Sequence, residues 1–305
     1  MIYSMGDSGR GLIFSLIILV SLILSSCNNV ERSKFRAKNR VDFDTIMVNK
    51  RHYLENDTVG PYCDLKIDFI YPIRTDKNNL DELQQSFVKN FFGSAFESMD
   101  PVQAIEAYVN TFTENYNRDA NTYQQNISEM NELNVLISGI DISNTHDRND
   151  EIFYSYYESL SDSIVFNQYD VISFQVRQTS SKGGATSKYV SYSNFVVNLQ
   201  TGNIISENEI FKAGYDKALQ NLIVTSLLDQ NMVNNIEELE DIGFFGISEI
   251  IPNNNFLLNE KGVIYTYNKG EYSALQLSAP EVFIPYTAIR SLIRENSVAG
   301  KLANL

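Results

Sequence analysis

Histidine and cysteine are nearly missing from this sequence: two of each occur in 305 residues. Most metal and nucleophile chemistry depends on them. His52 and His146 stand far apart, with no His-x-x-x-His or His-Glu-x-x-His spacing, so the paired imidazoles of a zinc hydrolase or deacetylase are not written here. A Ser/His/Asp site would have to rest on His146, and no Gly-x-Ser-x-Gly elbow accompanies it. A glycine-rich phosphate loop and a repeat of fixed period are also lacking. Positive charge is scarce, with 24 Lys and Arg against 38 Asp and Glu and a net charge of −14. Phosphate repulsion makes such a chain a poor partner for nucleic acid. Long apolar runs are absent too. The longest, Leu12 to Leu24, has thirteen residues interrupted only by Ser15 and Ser21, which is too short for a stable membrane-spanning helix.

That short run follows Arg10 and fits the apolar core of a secretory signal peptide. Leu24-Ser25-Ser26-Cys27 then matches the lipobox of bacterial lipoproteins. A thiol is needed at that position because it accepts the diacylglyceryl group before cleavage. The reading is a signal peptide over residues 1–26 and lipidation of Cys27, with the membrane as first partner. Cys63 is then the only other cysteine, so the fold is held by its core without an intramolecular disulfide. Five basic residues follow the anchor within nine positions, Arg32, Lys34, Arg36, Lys38 and Arg40. Such a strip can lie on anionic head groups, or it can simply be a solvated linker. Residues 27–61 are accordingly expected to be anchor and tether, with a coil reach of roughly 30 Å, and the folded body to begin near Tyr62.

Within the body, Leu65 to Tyr71 alternates with period two and predicts a strand ending at Pro72. Leu80, Leu83, Phe87 and Phe91 mark one face of a helix. Asp100-Pro101 reads as a helix cap followed by proline in the first turn, opening a second helix running towards Tyr123. Strand patterns follow at Val135–Ile137, Ile152–Tyr157 and Tyr169–Val176, the last alternating as a half-buried antiparallel strand should. The stretch from Gly183 to Phe211 organises the chain: a Val-, Tyr- and Phe-rich strand from Tyr189 to Leu199, then a tight turn at Thr201-Gly202. Beyond it come a helix through Ala218 and Leu227 and strands at Phe256–Leu258, Val263–Tyr267 and Val282–Tyr286. A short helix carries Ile289, Leu292 and Ile293. The fold class is α+β, with antiparallel sheets packed against a few amphipathic helices in two intimately packed halves.

Asn194-Phe195 through Thr201-Gly202 with Ile210-Phe211 resembles the signature of the RsiV-type C-terminal domain, as does Lys261-Gly262-Val263-Ile264-Tyr265 leading to Glu281–Tyr286. The preceding half, with Ile70-Tyr71-Pro72 and Gly183-Gly184-Ala185, is similar to its usual companion, the PdaC-type N-terminal domain. The resemblance places the first domain over 62–188 and the second over 189–295. Where the family usually carries histidine and aspartate, this chain has Thr186 and Asn198. The resemblance implies an envelope-facing module, one that contacts lysozyme in the anti-sigma member and an accessory facing the wall in the deacetylase.

The expected function is therefore that of a non-catalytic cell-envelope lipoprotein with no cofactor. It would bind peptidoglycan or another glycan, or a lysozyme-like protein. The alternative is an envelope enzyme, a deacetylase or hydrolase accessory, acting on peptidoglycan or polysaccharide. Sugar faces could stack on tyrosines among Tyr154, Tyr156, Tyr157, Tyr265, Tyr267 and Tyr272. The acidic run Glu237-Glu238-Glu240-Asp241 reads as a solvated face. The location is the bacterial cell envelope, at the outer membrane if the host has two.

Overall fold

The computed structural model describes residues 39–54, 61–77, 80–136, 155–182 and 188–305. A five-stranded sheet runs in the order β1 (Val41–Tyr53), β2 (Tyr62–Thr75), β3 (Tyr156–Gln168), β4 (Val171–Lys182) and β5 (Tyr189–Asn198). Its pairs are antiparallel except β2–β3, which is parallel and bridged in sequence by helices α1 (Leu80–Phe92) and α2 (Pro101–Leu136). Three helices follow, α3 (Glu207–Ile210), α4 (Asp216–Asn231) and α5 (Ile236–Asp241). A second sheet of β6 (Phe256–Leu258), β7 (Gly262–Thr266) and β8 (Glu281–Pro285) is wholly antiparallel, and α6 (Tyr286–Ile289) and α7 (Val298–Leu302) close the chain. No described helix is long and apolar enough to cross a membrane.

The expected tether does not extend through residues 41–53. They form β1, which pairs with β2 along its whole length from Val41↔Thr75 to Tyr53↔Tyr62. Val41, Phe43, Ile46 and Val48 join the core under α1 and α2. The charged and polar positions between them face outward, which is why the stretch resembles a linker in sequence. Asn39 already belongs to the body, since its Oδ1 accepts from Asp170 N (2.9 Å) and its Nδ2 donates to Val171 O (2.9 Å).

Four other elements differ from their sequence patterns. Pro72 does not end β2; a bulge sets Asp42 against Arg74 and Phe43 against Pro72, so Ile73 is the extra residue. The strand thus passes a residue that has no N–H to give the ladder. The polar stretch after Tyr157 is β3, whose Ser159, Ser161 and Ser163 alternate with Leu160 and Ile164. Tyr169 and Asp170 are not strand but a two-residue turn with φ of 56° and 62°, the geometry that suits a right-twisted hairpin. Val135 and Leu136 lie at the end of α2, not in a strand.

One core lies between the large sheet and α1 and α2, where Phe87 stacks on Phe174 at 4.4 Å and Phe69 meets Phe91 at 4.6 Å. α1 stops where Gly93 takes φ 102°. Asp100 caps α2, accepting from the N–H groups of Val102 and Gln103 at 2.9 Å each. The second core gathers α4, β6, β7, β8 and α6 and reaches Val171 and Val196 on the opposite face of β4 and β5. Those strands are consequently interior on both faces where the halves meet. The half-buried reading of β4 does not hold there: Ser173 is fully buried.

Candidate binding site

Outward-facing polar residues of β5 are met by amides from the second half. Asn194 N donates to Asn255 Oδ1 (2.7 Å), and Tyr192 N donates to Asn268 Oδ1 (2.7 Å). The Nδ2 groups of Asn255 and Asn268 both donate to Tyr192 O at 3.1 Å. Two side-chain amides thus occupy the strand edge as a neighbouring strand would, which protects it from further pairing. Asn194, 5% exposed, completes the seam by donating from Nδ2 to Thr266 Oγ1 at 2.7 Å. In the sequence, Asn253-Asn254-Asn255 has the composition of a loop, and nothing local shows that Asn255 joins an amide network with the buried Asn194.

Beside this seam lies a groove of about 990 Å³. One wall is α1, which presents Gln85, Lys89 and Asn90; the other is the turn Thr201-Gly202-Asn203 with Asn208 in α3. Phe195, Ile204 and Phe256 supply its apolar lining. The second wall is rigid for local reasons. Asn198 Oδ1 accepts from Gln200 N (2.9 Å), Gly202 at φ 73° returns its N–H to Asn198 O (2.8 Å), and Ile205 N donates to Val196 O (2.7 Å). Ser206 and Glu209 then form a reciprocal capping box on α3.

Glu207 carries a carboxylate that is 2% exposed. It accepts from Tyr215 Oη (2.8 Å) and from Asn254 N (2.8 Å), and so holds the Asn254 corner that borders the groove. Burial first, and then the bond to Glu207, hold the Tyr215 hydroxyl above its ordinary pKa. This arrangement satisfies a buried carboxyl group with donors, and Glu207 itself is not among the groove-lining residues. The groove's Lys89 is paired with Glu97 at 2.6 Å. Apart from Glu82, what remains facing the cavity is neutral: amides, hydroxyls and the apolar lining.

The residues singled out from sequence are scattered. Cys27, His146, Tyr154 and Thr186 lie outside the described residues. Tyr265 and Tyr267 are fully buried, so they cannot be sugar platforms. Tyr156 and Tyr157 are half-buried with Lys182 and Lys188 over their rings at 4.7 and 3.7 Å, and Tyr272 meets Tyr267 edge-on. His52 sits in β1 with Nε2 at 2.9 Å from Asn117 Oδ1. Glu238 caps the start of α5, accepting from Asn234 N at 2.9 Å. Among the described residues, no group of three or more His, Cys, Asp or Glu is placed to hold a metal ion. Cys63 is free and buried, and desolvation pushes its thiol up to about 12.

These features define an α+β protein built as two halves around one shared pair of strands. Residues 208–287 match the model of a family described as a protein of unknown function, DUF3298. Two solved structures share the fold. A DUF3298 family member from Bacteroides fragilis superposes with a TM-score of 0.74 at 23% identity, covering 88% of this chain and 99% of its own. A DUF3298 family protein from Pseudomonas aeruginosa gives 0.54 at 12% identity, covering 84% and 96%. Among curated protein sequences, none matches this chain.

Proposed function

We propose that this protein is a non-catalytic lipoprotein of the bacterial cell envelope, anchored through Cys27, whose folded body binds a glycan. The observation that carries the reading is the groove between α1 and the β5–α3 turn, whose walls carry amides and hydroxyls over an apolar lining, with Glu82 and the Lys89–Glu97 pair as its charged groups. That combination suits a ligand with many hydroxyls and few charges, since such sites place a few polar groups around an apolar surface. The lipobox and the resemblance to RsiV-type and PdaC-type envelope modules support the same placement. Eleven residues separate Cys27 from Asn39 and span at most about 40 Å, so the body would stay close to its membrane.

A basic protein is the second reading, favoured by one feature of charge. Between Lys217 and Lys261 there is no Lys, Arg or His, and seven acids, Asp229, Glu237, Glu238, Glu240, Asp241, Glu249 and Glu260. Such a surface would steer a cationic partner with a strong salt dependence. Co-sedimentation of the protein with purified wall sacculi, run beside pull-downs with basic proteins across 50–500 mM salt, tests both. Retention on sacculi that persists at high salt is the expected result. Binding only to the basic protein, lost as salt rises, would replace the glycan reading, and turnover of wall fragments would end the non-catalytic one.

A further inference from the structure

From the side chains of the groove we infer that its ligand is an acetamido sugar chain, recognised through its amide groups; this rests on the glycan reading above. Gln85 on one wall and Asn203 and Asn208 on the other line the cavity. None of these three side-chain amides makes a hydrogen bond within the described residues. Asn90 gives its Nδ2 to Ser86 O (2.6 Å) within α1 and keeps its Oδ1 available. This differs from the seam a few residues away, where Asn194, Asn255 and Asn268 are consumed by backbone and by one another. The groove therefore holds amides in reserve on both sides of one cavity.

A carboxamide offers one acceptor and two donors on a plane. Another amide complements it with one donor and one acceptor, which in a trans N-acetyl group point in opposite directions. Vicinal hydroxyls of a plain sugar can also satisfy one carboxamide, but an N-acetyl group, with its N–H and C=O on opposite edges, can donate to an amide oxygen on one wall and accept from an amide N–H on the other. The apolar lining of Phe195 and Ile204, both half-buried, offers a place for the acetyl methyl or the C–H face of a ring. Charge argues in the same direction. Glu82 and Glu97 border the cavity, and its one cation, Lys89, is already paired. An anionic ligand such as a phosphate or a uronate would find no free counter-charge there; a cationic amino sugar could meet Glu82 but would lack the carbonyl and methyl that the amides and the apolar lining accommodate. At about 990 Å³ the space is at the upper end of the range for small-ligand pockets, which suits a short oligosaccharide or a segment of a longer chain.

The test uses the full chain in detergent and three soluble tetrasaccharides: chitotetraose in its N-acetylated form, its deacetylated amine form, and cellotetraose. Calorimetric titration is expected to show the N-acetylated form binding at least tenfold more tightly than either other sugar. Asn203→Ala and Asn208→Ala lie at exposed positions that support no other residue, and each is expected to weaken that binding about fivefold to tenfold with unchanged melting. Equal binding of all three sugars would overturn the amide inference and leave the glycan reading standing. An N-acetyl preference untouched by both variants and by Gln85→Ala would place recognition elsewhere and overturn the site. Binding of none of the sugars, with the thermal transition intact, would remove the inference and the glycan reading together.

Discussion

Ser173 on β4 and Leu258 on β6 exchange a reciprocal pair of hydrogen bonds, Oγ donating to Leu258 O at 2.6 Å and accepting from Leu258 N at 3.2 Å. The hydroxyl is fully buried. It stands in for a strand neighbour where β6 passes across the face of the large sheet, and it joins the two cores. Ser173→Ala leaves both backbone groups of Leu258 without that partner and is expected to cost about 1–3 kcal/mol. Chemical denaturation followed by circular dichroism should show one transition with a lowered midpoint. Two separate transitions would mean that the halves are not coupled through this contact.

Asp162 gives the protein a pH dependence of its own. It is 9% exposed; Oδ1 accepts from Ile70 N at 2.8 Å, while Oδ2 has no partner. Burial is the main cause that raises its carboxyl from 3.8 to about 7, opposed by the Ile70 bond, with Asp68 adding a smaller push upward. The folded state therefore keeps the proton over a range where the unfolded chain has lost it. The stability from this group is present below about pH 4 and falls as pH rises towards 7. Asp162→Asn keeps the acceptor for Ile70 and removes the titration. It should match the wild type near pH 4 and exceed it at pH 8 by about 1–3 kcal/mol, measured as melting temperature against pH.

Cys63 is 2% exposed and its thiol is held protonated by burial. In a Cys27→Ala chain it is the single thiol. It should react with an aromatic disulfide reagent only on unfolding, and reductant should leave the melting temperature unchanged. Rapid reaction in the native state would show that β2 opens readily at this point.

The start of the fold can be tested by truncation. A chain beginning at Lys38 keeps β1 and the Asn39 clamp on the Asp170 turn. It should melt cooperatively. A chain beginning at Asn56 loses Val41, Phe43, Ile46 and Val48 from the core and uncovers the edge of β2; it is expected to be insoluble or to lack a cooperative transition. Equal melting of the two would return residues 41–53 to the tether.

The lipid anchor is tested by Cys27→Ala. The variant should accumulate as a slower-migrating precursor that incorporates no labelled palmitate. Undiminished labelling would end the lipoprotein reading.

What the sequence determined by itself is local in its physics. The spacing of Leu83, Phe87 and Phe91 commits one face of α1 to a core, because helical geometry repeats every 3.6 residues whatever lies opposite. Asp100-Pro101 and Thr201-Gly202 set a cap and a turn through contacts within a few residues. The α+β class follows from the sum of such signals. Only the tertiary structure decided which polar residues are inside. Ser173 and Asn194 occupy positions that alternation assigns to water, yet the second half packs on that face and turns their polar atoms into its hydrogen bonds. β1 has a linker's composition because a strand at the sheet's edge, with one open face, needs apolar residues only towards α1 and α2. The groove is hidden for the same reason, since Gln85 and Asn208 are 123 positions apart and only long-range packing brings them to one cavity.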